Sequence, residues 1–365
     1  DKINPSNLTS TVITLHEFFQ PRVSVKDLQM FCQQLYTLLK AGIPMITTIS
    51  KLIETTENKT LVKALNIILE KLNDGQSLSA GLSESPQIFG DFFINLIKVG
   101  EHTGQLEKVL LYLTEYIELE EDTRNKIKSA YRYPKMVFFA LFIALLIINT
   151  FVIPAFSQLF GSFHQELPLP TRILIATSNL IINDWQFVVG GAVIIFLSFR
   201  YILRTTWGAI AWGKFQLKIP IMGWIVHRII LARFAKLYAM VLRSGFTAVE
   251  GIELVGASTN NAYFAKKIKD TTELIRQGNT IAGAIVQSNL FSPLVIQMVT
   301  VGEESGNIDT LLDEVAEFYQ RELDYDLAHL SQVIEPVLLI IVGIFVLILA
   351  LGVFLPMWDM ASRFK

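Results

Sequence analysis

The run Gly208-Ala-Ile-Ala-Trp-Gly213-Lys214 has the glycine and lysine spacing of a loop that wraps nucleotide phosphates in backbone N–H groups. Phe215 follows where a Ser or Thr would be needed to hold magnesium, and no strand pattern precedes the run. The favoured reading is an interfacial turn, with Trp207 and Trp212 at the level of lipid headgroups. The histidines, His16, His102, His164, His227 and His329, are scattered, and none stands at metal-ligand spacing from another His, Cys or carboxylate. His16-Glu17 lacks the second histidine of a zinc helix, and no nucleophile elbow, dinucleotide fingerprint or calcium loop occurs. The acidic run at 118–122 could hold a divalent cation but reads better as a solvated helix face. The single cysteine, Cys32, excludes an internal disulfide and, on an apolar helix face, is expected to be a small buried side chain. No enzyme, cofactor or metal site is therefore expected. A net charge of -2 leaves no basic field for nucleic acid.

One short element remains, and it occurs twice: Gly100-Glu101-His102-Thr103-Gly104 and Gly302-Glu303-Glu304-Ser305-Gly306. Two glycines permit a tight turn between helices, Thr103 or Ser305 can cap the helix that follows, and the glutamate would lie near that helix's positive end. An exposed carboxylate placed so contributes about 0.3–1 kcal/mol, too little to unfold a bundle. Gly100, Glu101, Gly104, Gly302, Glu303 and Gly306 are the candidate turn residues. A role for them in transmitting motion would have to come from what binds there.

The turn is one part of a longer duplication, because residues 31–160 reappear in 234–364. Phe31, Leu39, Gly42, Ile49 and Gly75 correspond to Phe234, Leu242, Gly245, Ile252 and Gly278, and after a one-residue deletion the turns, then Pro134 and Pro154, meet Pro336 and Pro356. Apolar residues at 28, 31, 35, 38 and 39 keep helical spacing up to Gly42, and Pro44 opens the next helix. Further helices are expected over 60–74, 78–83, 92–99 and from about 103 onward. No strand pattern competes. The expected fold class is all-α, with two repeated helical bundles.

With 52% hydrophobic and 18% charged residues and a mean hydropathy of +0.44, the chain is more apolar than a soluble domain. The excess is local. Stretches 136–154 and 337–355 carry no charge, and at about 19 residues each they make helices of roughly 28 Å, the thickness of a bilayer core. A third span is expected over 185–203, with Arg200 and Arg204 able to snorkel. Basic residues crowd before the first span (Arg124, Lys126, Lys128, Arg132, Lys135) and after the second (Arg200, Arg204, Lys214, Lys218), whereas Arg172 is alone between them. Because basic flanks stay cytoplasmic, both bundles are expected in the cytoplasm. The expected order is a linker at 1–24, bundle one at 25–134, a span at 135–155, a periplasmic loop at 156–184 and a span at 185–203. Bundle two at 204–335, a span at 336–356 and a periplasmic tail at 357–365 complete it. Asp1 in place of Met leads us to expect a trimmed chain with a preceding segment missing.

The duplicated bundle, Leu-x-x-Gly-[Ile/Phe] after the first helix, the Val-Gly-Glu-x-[Ser/Thr]-Gly turn and the proline-started last span resemble the inner-membrane platform family of type II secretion and type IV pilus machines, the secretion F family. His102 departs from the Lys or Glu more usual in the first turn, and residues 1–30 match the family's variable linker. The resemblance implies a non-enzymatic, multi-pass, homo-oligomeric scaffold of the bacterial inner membrane. It also implies partners: a hexameric assembly ATPase, pilin or pseudopilin subunits and other inner-membrane assembly proteins. The rival readings are a permease subunit and a membrane-anchored regulator of an ATPase. No charge lies at mid-depth in any span, Asn149 and Ser198 being the notable polar groups, which argues against a permease. The charge pattern makes a direct prediction about topology. A periplasm-active reporter fused after Gly161 or Phe364 should be active and one fused after Gly208 inactive, and activity at Gly208 would reverse the assigned orientation.

Overall fold

Ser24 starts the first helix by a reciprocal exchange: its Oγ accepts from Asp27 N at 3.2 Å, while Asp27 Oδ2 accepts from Ser24 N at 2.8 Å. Two otherwise unpaired N–H groups are thereby satisfied before the apolar spacing begins. In the computed structural model, which describes residues 23–155, 184–220 and 222–363 with Arg172, Ile175, Ala176, Ser178 and Leu180, that helix is α1, Val25–Lys40. Residues 1–22, most of the 156–184 loop, His16, His164 and the last two residues of the tail lie outside the described residues. The first copy continues as α2 (Met45–Thr55), α3 (Lys59–Asn73), α4 (Leu78–Ser83), α5 (Pro86–Thr103) and α6 (Leu106–Ala130). Then come α7 (Arg132–Ile147), which passes into a π-helical turn at Ile148–Val152, α8 (Trp185–Arg204) and α9 (Thr206–Gln216). The second copy is α10 (Met222–Arg243), α11 (Ala248–Ala257), α12 (Ala262–Arg276), α13 (Ile281–Ser288), α14 (Pro293–Ser305) and α15 (Ile308–Arg363). No strand occurs among the described residues.

The described residues form two compact units, one from 23–124 with 227–320 and the other from within 125–226 with 321–363. In the first unit each copy builds its core on the same aromatic pair. Phe31 meets Phe89 at 5.6 Å between ring centres in one, and Phe234 meets Phe291 at 4.9 Å in the other. Leu35, Ile49, Leu52, Leu65 and Ile68 close the first core, and Leu237, Ile252, Val255 and Ile268 the second, all buried. Cys32 is fully buried, and burial pushes its thiol well above the ordinary range, which makes it an inert core residue. The two copies also touch each other inside this unit. Arg233 of α10, only 12% exposed, donates from Nε to Glu120 Oε2 at 3.1 Å, binds Glu120 Oε1 through its second nitrogen, and reaches the Thr259 carbonyl. The acidic run at 118–122 thus supplies a partner to the second copy rather than only a solvated face.

The second unit carries the apolar helices. Three helices are long and apolar enough to cross a membrane, within Leu106–Ala155, Gln186–Arg204 and Ile308–Ile348, and their apolar side chains are largely exposed, Phe139, Phe187 and Leu339 among them. The chain is an all-α polytopic membrane protein with three transmembrane helices. The two copies handle their shared proline differently. Tyr131 separates α6 from α7, so Pro134 falls in a first helical turn where its missing N–H costs nothing, whereas Pro336 sits inside the 56-residue α15. Asn149 is buried in the π turn, its Nδ2 donating to the Leu145 carbonyl at 2.9 Å while the Asn149 carbonyl accepts from Ser178 Oγ at 2.6 Å. Ser198 is exposed.

Sequence spacing placed a short helix over 92–99 and the next from about 103. Instead α5 runs from Pro86 to Thr103 around a kink at Gly90 (φ 68°), and Thr103 ends it rather than opening α6. The glycine stops behave as expected. Gly42 and Gly245 follow the ends of α1 and α10 with φ of 77° and 93°, in the left-handed region that a β-branched residue resists. Gly42→Val and Gly245→Val should each destabilise the protein by about 1–3 kcal/mol, read as a lower unfolding temperature in detergent, and an unchanged transition would remove the strain argument.

Candidate functional site

The repeated turn binds three helices together, and its glutamate works in a direction that spacing alone did not reveal. Glu101 lies in the last turn of α5, where its Oε1 accepts from Leu78 N at 2.5 Å and its Oε2 from Ser79 N at 3.0 Å. Glu303 does the same from α14, accepting from Ile281 N at 2.8 Å and Ala282 N at 3.0 Å. Each carboxylate therefore closes the N-terminus of the short helix that precedes it in the chain, α4 or α13. It does not serve the start of the helix that follows. Both glutamates are half-buried. Ser77 and Thr280 cap the same helix starts, accepting from Ala80 N and Gly283 N at 3.1 Å each. All the first-turn donors involved are thus paired by one hydroxyl and one bidentate carboxylate, which also complements the positive helix end.

The first glycine of each turn is needed for close approach. A Cβ on Gly100 would stand 3.0 Å from Val109 Cγ2 and 3.2 Å from Leu106 Cα, and one on Gly302 would stand 2.8 Å from Ile308 Cα. The first turn of α6 or α15 therefore lies directly on the glycine. The second glycine reverses the chain: Gly104 and Gly306 are left-handed at φ 68° and 74°. Behind them Gln105 N reaches the Gly100 carbonyl at 2.9 Å and Asn307 N the Gly302 carbonyl at 3.0 Å, the six-residue closure of a helix end. Thr103, expected as a cap for α6, donates from its hydroxyl to the Val99 carbonyl instead. His102, Thr103, Glu304 and Ser305 are exposed, so the variable middle of the motif is its solvent face.

Other groups singled out in the sequence fall away from this turn. Gly208 to Lys214 is part of helix α9, so it forms no phosphate loop, and the turn expected there is helical. His227 pairs through Nε2 with the Leu290 carbonyl at 2.8 Å, inside the second copy. Tyr238 is fully buried with its hydroxyl donating to the Ala248 carbonyl, and burial holds its phenol well above the ordinary range. Three groups escaped the sequence reading. Lys236 pairs with Asp313 at 2.8 Å, and Arg243 bridges Asp309 and Asp313 at 3.1 and 2.7 Å, lashing α10 to the start of α15. A cleft of about 410 Å³ between α1, α5 and α6 on one side and α11 on the other is lined by Phe89, Tyr116, Leu254 and Asn260. Asn260 is left-handed there at φ 56°. The long sequence separations leave no local pattern by which such contacts could have been read.

A membrane protein made of two copies of one helical bundle, each locked by the same carboxylate-and-glycine turn, is the class that fold and site define. The chain belongs to the family of type II secretion system protein F, whose model matches residues 31–154 and again residues 234–356. The type IV pilus assembly protein PilC of Thermus thermophilus is 33% identical over 92% of this chain and 82% of its own. PilC of Myxococcus xanthus is 30% identical over 94% and 82%. The type II secretion system protein F of Pseudomonas aeruginosa is 29% identical over 93% and 84%. The matched segments begin at Phe31 and Phe234, the residues that found the two aromatic cores.

Loss of a carboxylate leaves two helix-start donors without their partner, so Glu101→Ala and Glu303→Ala should each destabilise by about 1–3 kcal/mol. Glutamine, with one acceptor oxygen left, should fall between. Gly100→Val and Gly302→Val should do more damage, because backbone of the next helix blocks the new side chain. Unfolding in detergent and protein level in membranes measure both effects, and wild-type stability in the alanine variants would show the carboxylates to be dispensable.

Proposed function

We propose that this chain is the inner-membrane platform of a type IV pilus or type II secretion machine, the scaffold on which a cytoplasmic assembly ATPase drives pilin-like subunits into a growing fibre. The observation that carries the reading is the duplicated clamp. Two bundles hold α4–α5–α6 and α13–α14–α15 by the same bonds, and α15 runs unbroken from its clamp at Ile308 into an apolar span. A continuous helix of that kind is a covalent link from a bundle to the bilayer, which a scaffold under motor load requires. Relatives named for pilus assembly and for type II secretion both align along nearly the whole chain, which supports a role common to the two machines.

The membrane helices also favour a platform over a permease. The cleft between α7 and α15, about 230 Å³, is lined by Phe138, Leu141, Phe142, Leu145, Ile341, Val342 and Phe345, and so has no group to recognise a polar solute. An apolar helix, such as the membrane segment of a pilin-like subunit, is the kind of occupant such a wall accepts. In this reading both bundles face the cytoplasm, the C-terminus faces the periplasm, and several copies assemble around the fibre base together with other inner-membrane assembly proteins. The turn residues Gly100, Glu101, Gly104, Gly302, Glu303 and Gly306 keep each bundle rigid during coupling.

A strain lacking the gene should lose surface fibres, or fibre-dependent secretion, while subunit levels stay normal. Normal fibres would reject the platform, and lost subunits would point to a regulator. Restoring the chain with Glu101→Gln and Glu303→Gln then addresses coupling: lost assembly at normal membrane level supports it, and full assembly removes these residues from it.

A further inference from the structure

From Trp185 to Val249 the chain has no aspartate or glutamate, although its net charge is -2. Some basic residues of this run are accounted for, since Arg233, Lys236 and Arg243 pair with Glu120, Asp313 and Asp309. Four further basic residues flank α9 or lie in it. Arg200 and Arg204 stand in the last turns of α8, and Lys214 and Lys218 lie in and just after α9.

The position of α9 is fixed by the end of the membrane helix before it. Thr205, extended at φ -79° and ψ 145°, breaks the helix after Arg204, and its Oγ1 accepts from Gly208 N at 3.2 Å to start the next one. A Cβ on Gly208 would lie 2.0 Å from the Ile202 carbonyl oxygen, so α9 begins folded against the last turn of α8 at a point where only glycine fits. Trp212 packs its ring edge-on to Phe199 at 5.1 Å and turns that side of α9 toward α8. The side carrying Trp207, Ala211 and Lys214 faces outward, with Phe215 at its edge, its ring 5.7 Å from that of Trp212. Trp207 is 77% exposed and Phe215 56%, and Ala211, Lys214 and Lys218 are exposed with them. Positions 207, 211, 214 and 215 lie along one face of α9, and Lys218 follows in the turn just after its end. That face is aromatic and basic, and it begins immediately after a helix that crosses the bilayer.

We propose that α9 is an interfacial helix whose outer face seats in the headgroup layer and binds anionic phospholipid. Indole and phenyl rings partition to the boundary between acyl chains and headgroups, and ammonium groups on the same face reach the phosphates. Direct continuity with α8 keeps the face at headgroup depth, and the lack of any carboxylate along 185–249 removes the repulsion an anionic surface would otherwise meet. The favoured lipids are those with a net negative headgroup.

The buried, inert Cys32 makes the test selective, because a spin label will attach to an introduced cysteine at the exposed Ala211. The full chain with Ala211→Cys is reconstituted into phosphatidylcholine vesicles with and without phosphatidylglycerol, and the label's exposure to an aqueous nickel chelate is measured. Phosphatidylglycerol should reduce that exposure severalfold. Adding Lys214→Gln and Lys218→Gln should erase the difference, each charge being worth about fivefold in binding to an anionic surface. A label equally open to the chelate in both lipids, as expected of a face reserved for a protein partner, overturns the proposal. So does shielding that survives the double substitution.

Discussion

Each copy depends on a single arrangement, a glutamate carboxylate that accepts two backbone N–H groups from the start of another helix. Helix starts expose donors that cannot be satisfied within the helix, and a short helix such as α4 has too few internal bonds to hold itself together. Placing Glu101 on α5 solves both problems at once, because the two bonds pair the donors and fix where α4 lies against α5. Gly100, one residue earlier, then lets α6 lie against the same turn. Three helix positions are thus set within five residues. The second copy repeats the bonds with Glu303 and Gly302 although most surrounding residues differ.

The copies share this clamp and diverge around it. The second adds ion pairs from Lys236 and Arg243 to the first turns of α15, and its third core phenylalanine is Phe264 beside Phe234 and Phe291, where the first copy has Phe93 beside Phe89. The first supplies Glu120 to receive Arg233. Charged pairs at partly buried edges add less stability than apolar burial, yet they specify which edges meet. Duplication has therefore kept the device that shapes a bundle and varied the surfaces by which the bundles meet one another.

Helix ends matter at the membrane as well. Pro134 and Pro336 occupy equivalent positions, but one stands in a fresh helical turn after Tyr131 and the other within a continuous helix. The first copy's span also contains the π turn with buried Asn149, close before Pro154, where the proline cannot donate to the ladder. The two homologous spans consequently differ in continuity: one follows a break at Tyr131 and carries a π turn, and the other lies within one continuous helix that contains Pro336. In the platform reading, that asymmetry assigns the continuous connection to the second copy.

The duplication, the helical class, the three spans and the burial of Cys32 were legible in the sequence, because each rests on periodicity, composition or equivalent positions that local residues carry by themselves. The glycine stops at Gly42 and Gly245 were legible for the same reason, a left-handed φ being a one-residue property. The destination of Glu101 and Glu303 was not. Their spacing placed them beside the start of the following helix, and only the folded chain brings Leu78, Ser79, Ile281 and Ala282 within reach, from more than twenty positions away. Likewise the 118–122 run reads as solvated until α10 brings Arg233 beside Glu120. Local propensity decides which segments become helices, but bonds between a side chain and a distant backbone depend on how those helices pack, and packing is settled by the whole core at once.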